Sequence, residues 1–311
     1  MRIGVFVFFV LAIVGYGTPG RGAEAFEAYR ERTSMLLIAD HCDTLGTLEQ
    51  AALISGQVQA RGALLRAGED PQKLDALQMD LSRRAKRISC DQSDVQSEIA
   101  RMQDAAQIWS RLHTMRFPAR WQNWEARRDD ARDKPRWRVR APLSDANGTI
   151  VDFGLVADGE RVFLDLVVLD GKKPTSVILH MRDASRLAEP LGEDLLRLMG
   201  RTGDSPASLM PPQSVLQSFF AVDKMPAPPS LTGEEEAPSK AILFRFSDKA
   251  LNAFSALDPR DVVALELIYP GQAGQRQKRE RIYAEAGDFV AARLFAETFP
   301  EEKSVTTAAA H

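Results

Sequence analysis

The chain has 311 residues, of which 44% are hydrophobic and 27% charged, with 40 Lys and Arg against 43 Asp and Glu. These proportions are typical of globular proteins and argue against wholesale disorder or a bundle of membrane helices. The net charge of −3 argues against nucleic acid as a partner, because such binding usually draws on a strong basic excess. The length suits two domains better than one.

Residues 1–25 have the pattern of a secretory signal peptide. A charged start precedes an apolar run over residues 3–15, which is short for a membrane span, and Ala23 and Ala25 supply the small residues of a cleavage site. We therefore expect a mature chain that begins at Phe26, is periplasmic or secreted, and keeps no stable membrane span. Retention of the segment as an N-terminal anchor is the alternative.

Two helices are predicted next, over residues 47–67 and 71–88. Apolar and small residues recur at helical spacing in both segments. Thr47 and Gln50 have the spacing of a capping box, and the sequence from Gly68 to Pro71 indicates a helix stop followed by a new N-cap and a first-turn proline. Helices joined by so short a turn are expected to lie antiparallel.

The only two cysteines, Cys42 and Cys90, lie just before the first of these helices and just after the second. These points are neighbours in an antiparallel hairpin, and exported compartments are oxidising, so the sequence predicts a disulfide bond between them. The alternative is a metal site formed with Asp40, His41 and Asp91. It lacks a second closely spaced pair of ligands, and we therefore predict no metal.

Two further helices, over residues 27–39 and 93–115, complete a predicted helical domain that spans residues 26–116. Apolar residues form one stripe along the second of them. Such stripes usually pack into a core, and we interpret them in that way.

The segment 117–135 breaks the helical pattern and is predicted to bridge two domains. All four tryptophans lie between residues 109 and 137, among many arginines and several acidic residues. Arg and Trp anchor interfaces and stack on sugars or bases, but interleaved carboxylates can neutralise the arginines in place. The segment is therefore either a packed seam between domains or a surface for a ligand or envelope polymer. The residues predicted for that surface are Arg120, Trp121, Trp124, Arg127, Arg128 and Trp137.

Residues 136–299 are predicted to form a β-rich domain. It begins with four strands whose short connections predict an antiparallel meander. A helix over residues 191–199 follows. Residues 202–239, rich in Pro, Ser and Gly, are predicted to be an exposed loop. The four predicted strands are 137–140, 150–156, 162–169 and 176–180.

Regular structure is predicted again from Ala241 to Thr298, and residues 300–311 are expected to be a disordered tail. The basic run from Arg276 to Arg281 could contact anionic lipopolysaccharide or a membrane. We prefer to interpret it as a solvated sheet edge whose charges oppose aggregation. The elements predicted here are a strand over 241–246, a helix capped by Ser247, a strand over 262–269, a hairpin arm over 276–284 and a helix over 288–298.

Within this block, Leu257-Asp258-Pro259, a strand, a polar hairpin and a strand lead to Ala286-Gly287-Asp288-Phe289-Val290-Ala291-Ala292. The arrangement resembles the end of the invasion-associated locus B family of exported bacterial β-sandwich proteins, over about 55 residues. The resemblance implies a periplasmic or surface-associated binding fold without catalytic residues, and no functional residue carries over. The chain departs from the family in its helical front half, in a β-rich part without cysteines, and in Asp288 before Phe289.

No complete catalytic or cofactor motif is found in the sequence. Gly-x-Ser-x-Gly, Ser-x-x-Lys and glycine-rich phosphate loops are absent, and no two of the four histidines lie at metal-ligand spacing. The remaining catalytic candidate is His180 with Asp183, at a strand end where functional residues often lie. A lone histidine there is more often structural. We therefore predict no cofactor and no metal.

The sequence thus predicts an α+β protein, in which a disulfide-linked helical domain precedes an antiparallel, sandwich-like β-rich domain with short helices. The predicted function is that of an exported, non-enzymatic binding or scaffolding protein of the bacterial cell envelope. Its partner would be an envelope protein or polymer, and the sequence indicates no oligomeric state. The alternatives are an envelope-polymer hydrolase with an active site assembled from distant loops, and a periplasmic assembly or chaperone-like factor.

Overall fold

The computed structural model describes residues 21–129, 136–232, 240–271 and 276–298. Within these ranges the chain has the predicted α+β fold, in which four helices precede two antiparallel sheets with short helices. Predictions for the signal segment up to residue 20, for residues 233–239 of the Pro-rich loop and for the tail fall outside the described residues.

The four N-terminal helices are confirmed, with different ends. They are α1 (Arg21–Cys42), α2 (Thr47–Arg66), α3 (Pro71–Ala85) and α4 (Ser93–Ser110). The helix α1 is longer than predicted at both ends, and it includes the predicted cleavage site. The helix α4 ends before the predicted residue 115, because the chain from Thr114 pairs as a strand.

The helix caps differ in how well the sequence predicts them. At α3, Asp70 is the N-cap and accepts a hydrogen bond from Gln72 N at 2.9 Å, with Pro71 as the first helical residue. The predicted capping box at α2 is wrong. Gly46 is the N-cap there, so Thr47 already lies inside the first turn and its side chain caps nothing.

Cys42 and Cys90 form the predicted disulfide bond, with Cα atoms 5.7 Å apart. Cys42 is the last residue of α1, and Cys90 lies in the connection from α3 to α4. The bond therefore joins three helices, and neither thiol remains to bind a metal. The described residues contain no group of three or more side chains placed to hold a metal ion.

Eleven strands form the two sheets of the described chain. The larger sheet has the order β1-β2-β3-β4-β5-β9-β8 and the smaller one β11-β10-β6-β7, with antiparallel pairing throughout. The strands are β1 (Thr114–Pro118), β2 (Asn123–Asp129), β3 (Arg136–Ser144), β4 (Ile150–Asp158), β5 (Arg161–Val168), β6 (Ser176–Arg182), β7 (Leu216–Phe220), β8 (Asp223–Pro226), β9 (Ile242–Arg245), β10 (Val262–Tyr269) and β11 (Lys278–Glu285).

The main core combines the inner faces of both sheets with two of the short helices. An aromatic cluster of Trp124, Phe153, Phe254 and Phe289 lies inside it, with ring centroids 4.6 to 6.2 Å apart. All four rings are fully or almost fully buried. The short helices are α5 (Glu193–Leu198), α6 (Pro206–Leu209), α7 (Pro229–Thr232), α8 (Asp248–Ser255) and α9 (Phe289–Glu297). Of these, α8 and α9 contribute to the main core.

Three predictions about the β-rich part need correction. The bridge predicted over 117–135 includes the end of β1 and all of β2, because its alternating apolar residues pair across the larger sheet. The predicted four-strand meander holds only for β3, β4 and β5, since β6 crosses to the smaller sheet and pairs with β10 and β7. The Pro-rich loop contains β7 and β8, the edge strands of the two sheets.

The helical part packs against the β-rich part through α2 and α9. Ser55 Oγ donates a hydrogen bond to Ala291 O at 3.0 Å, and Val58 packs on the main core. The Arg66 guanidinium forms an ion pair with the Asp288 carboxylate at 2.8 Å. Of the helices described, none is both long and apolar enough to cross a membrane.

Candidate functional site

Half of the predicted Arg/Trp binding surface is buried: Trp124, Arg128 and Trp137 belong to the protein interior. Trp124 is fully buried, and its indole Nε1 donates to Ala286 O at 2.9 Å and to Glu285 O at 3.2 Å. Trp137 is 6% exposed and belongs to the same core. The apolar, inward positions of β2 and β3 hold these rings, so neither can contact a partner.

Arg128 is a buried structural residue that fastens the start of the β-rich part to its last helix. Its guanidinium donates to the carbonyl oxygens of Leu112 at 2.7 Å and Phe295 at 3.0 Å, and also to those of Trp109 and Thr298. Its charge lies 4.1 Å from the centre of the Phe295 ring. Carbonyl oxygens in and just after α4 and α9 thus take the place of the water molecules that the guanidinium loses on burial.

The other three predicted residues, Arg120, Trp121 and Arg127, are exposed or half-buried, and two of them contact each other. The Arg120 guanidinium lies 4.6 Å from the centre of the half-buried Trp121 ring, and Arg127 points outward from β2. On the same face, Glu125 lies between Arg116 at 3.3 Å and Arg140 at 3.1 Å. Glu125, one of the acidic residues interleaved in this segment, therefore neutralises arginines in place.

His180 lies on the outer face of the smaller sheet. Its Nδ1 is 2.7 Å from Ser218 Oγ on β7, and its Nε2 is 3.8 Å from Glu266 Oε2 on β10. The predicted partner, Asp183, instead accepts hydrogen bonds from Ser185 and pairs with Arg186 at 3.2 Å. Among the described residues, no hydrogen bond or ion pair joins His180 to Asp183, which lies just beyond the end of β6.

The electrostatics of this cluster leave no carboxylate free to assist His180 as a base. Burial lowers the pKa of His180, and Glu266 only partly offsets this, so the ring is neutral near pH 7. Burial would raise the pKa of Glu266, but hydrogen bonds and charge from Arg281, with His180 and Arg279, hold it below its usual range. Arg279 and Arg281 lie 2.9 and 2.6 Å from the Glu266 carboxylate. That carboxylate is therefore committed to arginines rather than to orienting the histidine.

A cleft of about 310 Å³ opens at one end of the sandwich. We call it the lysine cleft. Three connections that lie far apart in the sequence meet beside it: the β3–β4 turn, the β5–β6 connection and the β10–β11 connection. The residues that line it are Lys172, Lys173, Tyr269, Pro270, Gly271, Arg276, Lys278 and Glu280.

A network of charged and hydroxyl groups fixes the wall of the lysine cleft. Thr149 Oγ1 donates to Glu280 Oε2 at 3.0 Å, and Lys172 Nζ donates to Thr149 Oγ1 at 2.6 Å. Lys172 Nζ is also 3.4 Å from Asp170 Oδ2, and Lys278 Nζ is 2.7 Å from Glu280 Oε1. The network joins the β3–β4 turn and the β5–β6 connection to the start of β11, so the cleft is held by the fold itself.

Two cations of the lysine cleft remain outside this network. Lys173 and Arg276 are exposed, and neither forms an ion pair or hydrogen bond with a residue that the structure describes. Lys172 and Lys278 add two more cations, against the carboxylates of Asp170 and Glu280. The cleft therefore has a positive balance, in a chain whose overall charge is −3.

The wall also carries polar atoms whose bonding capacity is not used. Tyr269 Oη and Glu280 Oε1 are buried without a hydrogen bond of ideal geometry: Oε1 lies 2.7 Å from the Lys278 ammonium, and the Tyr269 hydroxyl lies beside the Glu280 carboxylate. Burial, followed by the neighbouring Glu280 carboxylate, raises the pKa of Tyr269. Burial would raise the pKa of Glu280, but Lys278 and Thr149 lead the hydrogen bonds that hold it below its usual range. At neutral pH the wall thus offers a phenol donor and an ionised acceptor.

Only part of this site is indicated by the sequence. The basic run from Arg276 to Arg281 is predicted to be a sheet edge, and β11 is indeed an edge strand of the smaller sheet. Strand periodicity places Arg279 and Arg281 on the outer face with Glu266, whereas Lys278 and Arg276 line the lysine cleft. Lys172 and Lys173 follow Asp170-Gly171, but nothing local in the sequence shows that they meet residue 280.

Comparison with protein-family models, with curated proteins and with solved structures gave no match. The resemblance of the C-terminal block to the invasion-associated locus B family therefore stays a prediction. The function must be argued from the geometry of the chain itself.

Proposed function

We propose that this protein is an exported, non-enzymatic binding protein of the bacterial cell envelope, and that it holds an anionic ligand in the lysine cleft. The observation that carries the proposal is the cleft of about 310 Å³ with its four cations. Ligand sites are typically concave, of about this size and largely preformed, with a few convergent polar groups. Loops at the end of a rigid sandwich are also where binding residues concentrate.

Binding rather than catalysis is supported by what surrounds the cleft. Its polar groups are cations, a tyrosine and a carboxylate that is already ion-paired, and none of its lining residues is a serine, cysteine or histidine. Acyl-transfer chemistry needs a nucleophile next to a base, with a third group that orients the base. The lining residues supply no such arrangement.

Export is supported by the predicted signal peptide and by the disulfide bond between Cys42 and Cys90. Disulfide bonds persist mainly in oxidising compartments. Fractionation of cells that express the full chain should recover it from the periplasm or the medium, with Phe26 as the first residue. Recovery from the cytoplasm in reduced form would contradict this part of the proposal.

The hydrolase alternative rests on the contact between His180 and Ser218 at 2.7 Å. It is weakened because the serine meets Nδ1, and because Nε2 lies 3.8 Å from a carboxylate that two arginines occupy. A mobile loop over residues 202–239 would favour the assembly-factor alternative. The described part of that loop instead holds strands of both sheets.

The proposal is tested with the full chain, polygalacturonate as an anionic polymer and dextran as a neutral one. Titration calorimetry should show binding of polygalacturonate that weakens as salt is added, because exposed charges are screened, and no binding of dextran. Lys173→Ala/Arg276→Ala should abolish most of the binding. The matched control is Lys86→Ala/Arg87→Ala, which removes the same two kinds of exposed cation from the helical part.

The same incubation separates a binding protein from an enzyme. Chromatography of the polymer after prolonged incubation should return it at its original length. Shorter products, lost in His180→Ala or Ser218→Ala, would overturn the proposal in favour of a hydrolase. Equal loss of binding in the two double variants would show that the charge of the whole chain, and not the cleft, attracts the polymer.

A further inference from the structure

We propose that the lysine cleft selects an acidic sugar, that is, a ring of hydroxyl groups that carries one carboxylate or phosphate. This inference rests on the proposed function and names the ligand class for the same site. It comes from a second property of the cleft. The exposed cations Lys173 and Arg276, which we call the rim, lie beside a wall that holds a buried acceptor, Glu280 Oε1, and a buried donor, Tyr269 Oη. A simple anion would use only the first of these.

The rim accounts for the acidic group. Lys173 and Arg276 are exposed and form no ion pair within the described chain. A guanidinium presents parallel donors that match a carboxylate or phosphate, and an ammonium adds a point charge. Charge-assisted hydrogen bonds of this kind are the stronger ones in proteins. One ligand anion between these two side chains would therefore be held without competition from the protein.

The wall accounts for the hydroxyl groups. Glu280 is 4% exposed, and its Oε1 lacks a hydrogen bond of normal geometry. The atom nearest to it is the ammonium of Lys278, whose side chain is 66% exposed and thus free to move outward. A ligand anion that attracts this ammonium uncovers Oε1, which then accepts a hydrogen bond from a ligand hydroxyl. Tyr269 Oη lies next to this carboxylate without a hydrogen bond of ideal geometry, and it supplies a donor there.

Size and shape agree with one sugar ring. The cleft volume of about 310 Å³ is at the lower end of the range for small-molecule sites. The Tyr269 ring and Pro270 form its apolar part. Aromatic rings offer large apolar faces against which the C–H groups of a ligand ring can pack.

The test uses calorimetry with the full chain and small probes instead of a polymer. Galacturonate and glucose 6-phosphate supply hydroxyls with a carboxylate or a phosphate, and they distinguish these two acidic groups. Galactose lacks the acid, whereas acetate and inorganic phosphate lack the hydroxyls. At least one acidic sugar should bind about tenfold or more tightly than galactose and than the simple anion that matches it. Lys173→Ala/Arg276→Ala should weaken it at least tenfold, and Lys86→Ala/Arg87→Ala should leave it unchanged.

Glu280→Gln tests the wall separately from the rim. It should weaken the acidic sugar about tenfold while inorganic phosphate and acetate bind as before or more tightly, because a nearby negative charge has been removed. A variant that had merely lost its structure would bind all probes more weakly, and thermal unfolding checks this directly. Tyr269→Phe, which removes only the phenol oxygen, should likewise weaken binding of the acidic sugar more than binding of inorganic phosphate or acetate.

Two outcomes separate the failure of this inference from that of the proposed function. Simple anions that bind in the cleft as tightly as acidic sugars, with an unchanged ratio in Glu280→Gln, would overturn the inference and leave an anion-binding protein. The absence of binding by every anionic probe, including polygalacturonate, would overturn both.

Discussion

The Arg66 guanidinium on α2 lies 2.8 Å from the Asp288 carboxylate at the start of α9. The pair is an electrostatic contact between the helical part and the β-rich part, and the same guanidinium lies 4.0 Å from the Glu285 carboxylate. The contact is an ion pair without hydrogen-bond alignment. Burial raises the pKa of Asp288 to about 6, and Arg66 offsets this only in part. Burial likewise raises the pKa of the neighbouring Glu285.

This pair predicts how stability depends on pH. In the unfolded chain Asp288 ionises near its usual pKa of 3.8, and in the folded chain it ionises near 6. The free energy of unfolding therefore falls as pH rises from about 4 to 6, and Asp288 accounts for about 3 kcal/mol of this fall. The Asp288→Asn variant should lack this pH-dependent part of the free energy of unfolding. In urea unfolding, the advantage of the wild type over the variant should shrink as pH rises; an advantage that grows would contradict the buried position of Asp288.

The disulfide bond should stabilise the protein by reducing the conformational entropy of the unfolded chain. The cysteines are 48 residues apart, which corresponds to about 4 kcal/mol on the chain-entropy estimate. Cys42→Ser/Cys90→Ser should lower the urea midpoint accordingly and steepen the dependence of the unfolding free energy on urea, because the chain without the cross-link unfolds to a more expanded state. Because the lysine cleft lies in the β-rich part, the folded variant should still bind its ligand. Unchanged stability would show that the helices are held by packing alone.

The adjacent residues Arg127 and Arg128 should respond very differently to alanine. Arg128 is 2% exposed and bonds to several backbone carbonyls, so its loss leaves buried acceptors without donors. We expect Arg128→Ala to cost about 3 kcal/mol or more, since each unsatisfied buried group costs roughly 1–3 kcal/mol. Arg127→Ala, at an exposed position, should change stability by less than about 0.5 kcal/mol. Chemical unfolding of the two variants compares them directly.

Titration of His180 by NMR tests the geometry of the smaller sheet. Glu266 raises the pKa of this ring, and Arg281 lowers it. Glu266→Gln should therefore move the pKa of His180 further down, whereas Arg281→Ala should move it up. Both variants should bind the cleft ligand as the wild type does. A pKa that moves in the same direction in both variants would show that these charges do not face the histidine as described.

Much of the fold could be predicted because its signals are local. Asp70 and Pro71 mark the start of α3 through their own backbone preferences, and Ser247 marks α8 in the same way. The pairing of Cys42 with Cys90 followed from the hairpin between them. The misplaced capping box shows the limit of such signals, because Gly46 and Thr47 differ by only one position.

The strands β1, β2, β7 and β8 were missed because composition hid their periodicity. In β2, the arginines suggested a binding surface, whereas each inward position holds an apolar side chain or the buried Arg128. In β7 and β8, the surrounding prolines suggested a loop. Whether such a segment pairs is decided by the partner strand, which its own sequence does not contain.

The lysine cleft could not be predicted because its residues meet only in the folded chain. Thr149 and Lys172 come from two connections and Glu280 from β11, and their contacts span up to 131 residues. The sequence drew attention to His180 instead, because a histidine at a strand end is conspicuous. Its real neighbours, Ser218 and Glu266, lie on strands that pair with β6 from either side.

The most direct test of the account is to map the ligand on the protein by amide NMR. Galacturonate added to the isotope-labelled full chain should shift signals from residues 145–149, 169–173, 269–271 and 276–280, and leave those around His180, Ser218 and Glu266 in place. This result would locate binding in the lysine cleft. Shifts centred on the outer face of the smaller sheet, or spread over all exposed cations, would contradict the central claim.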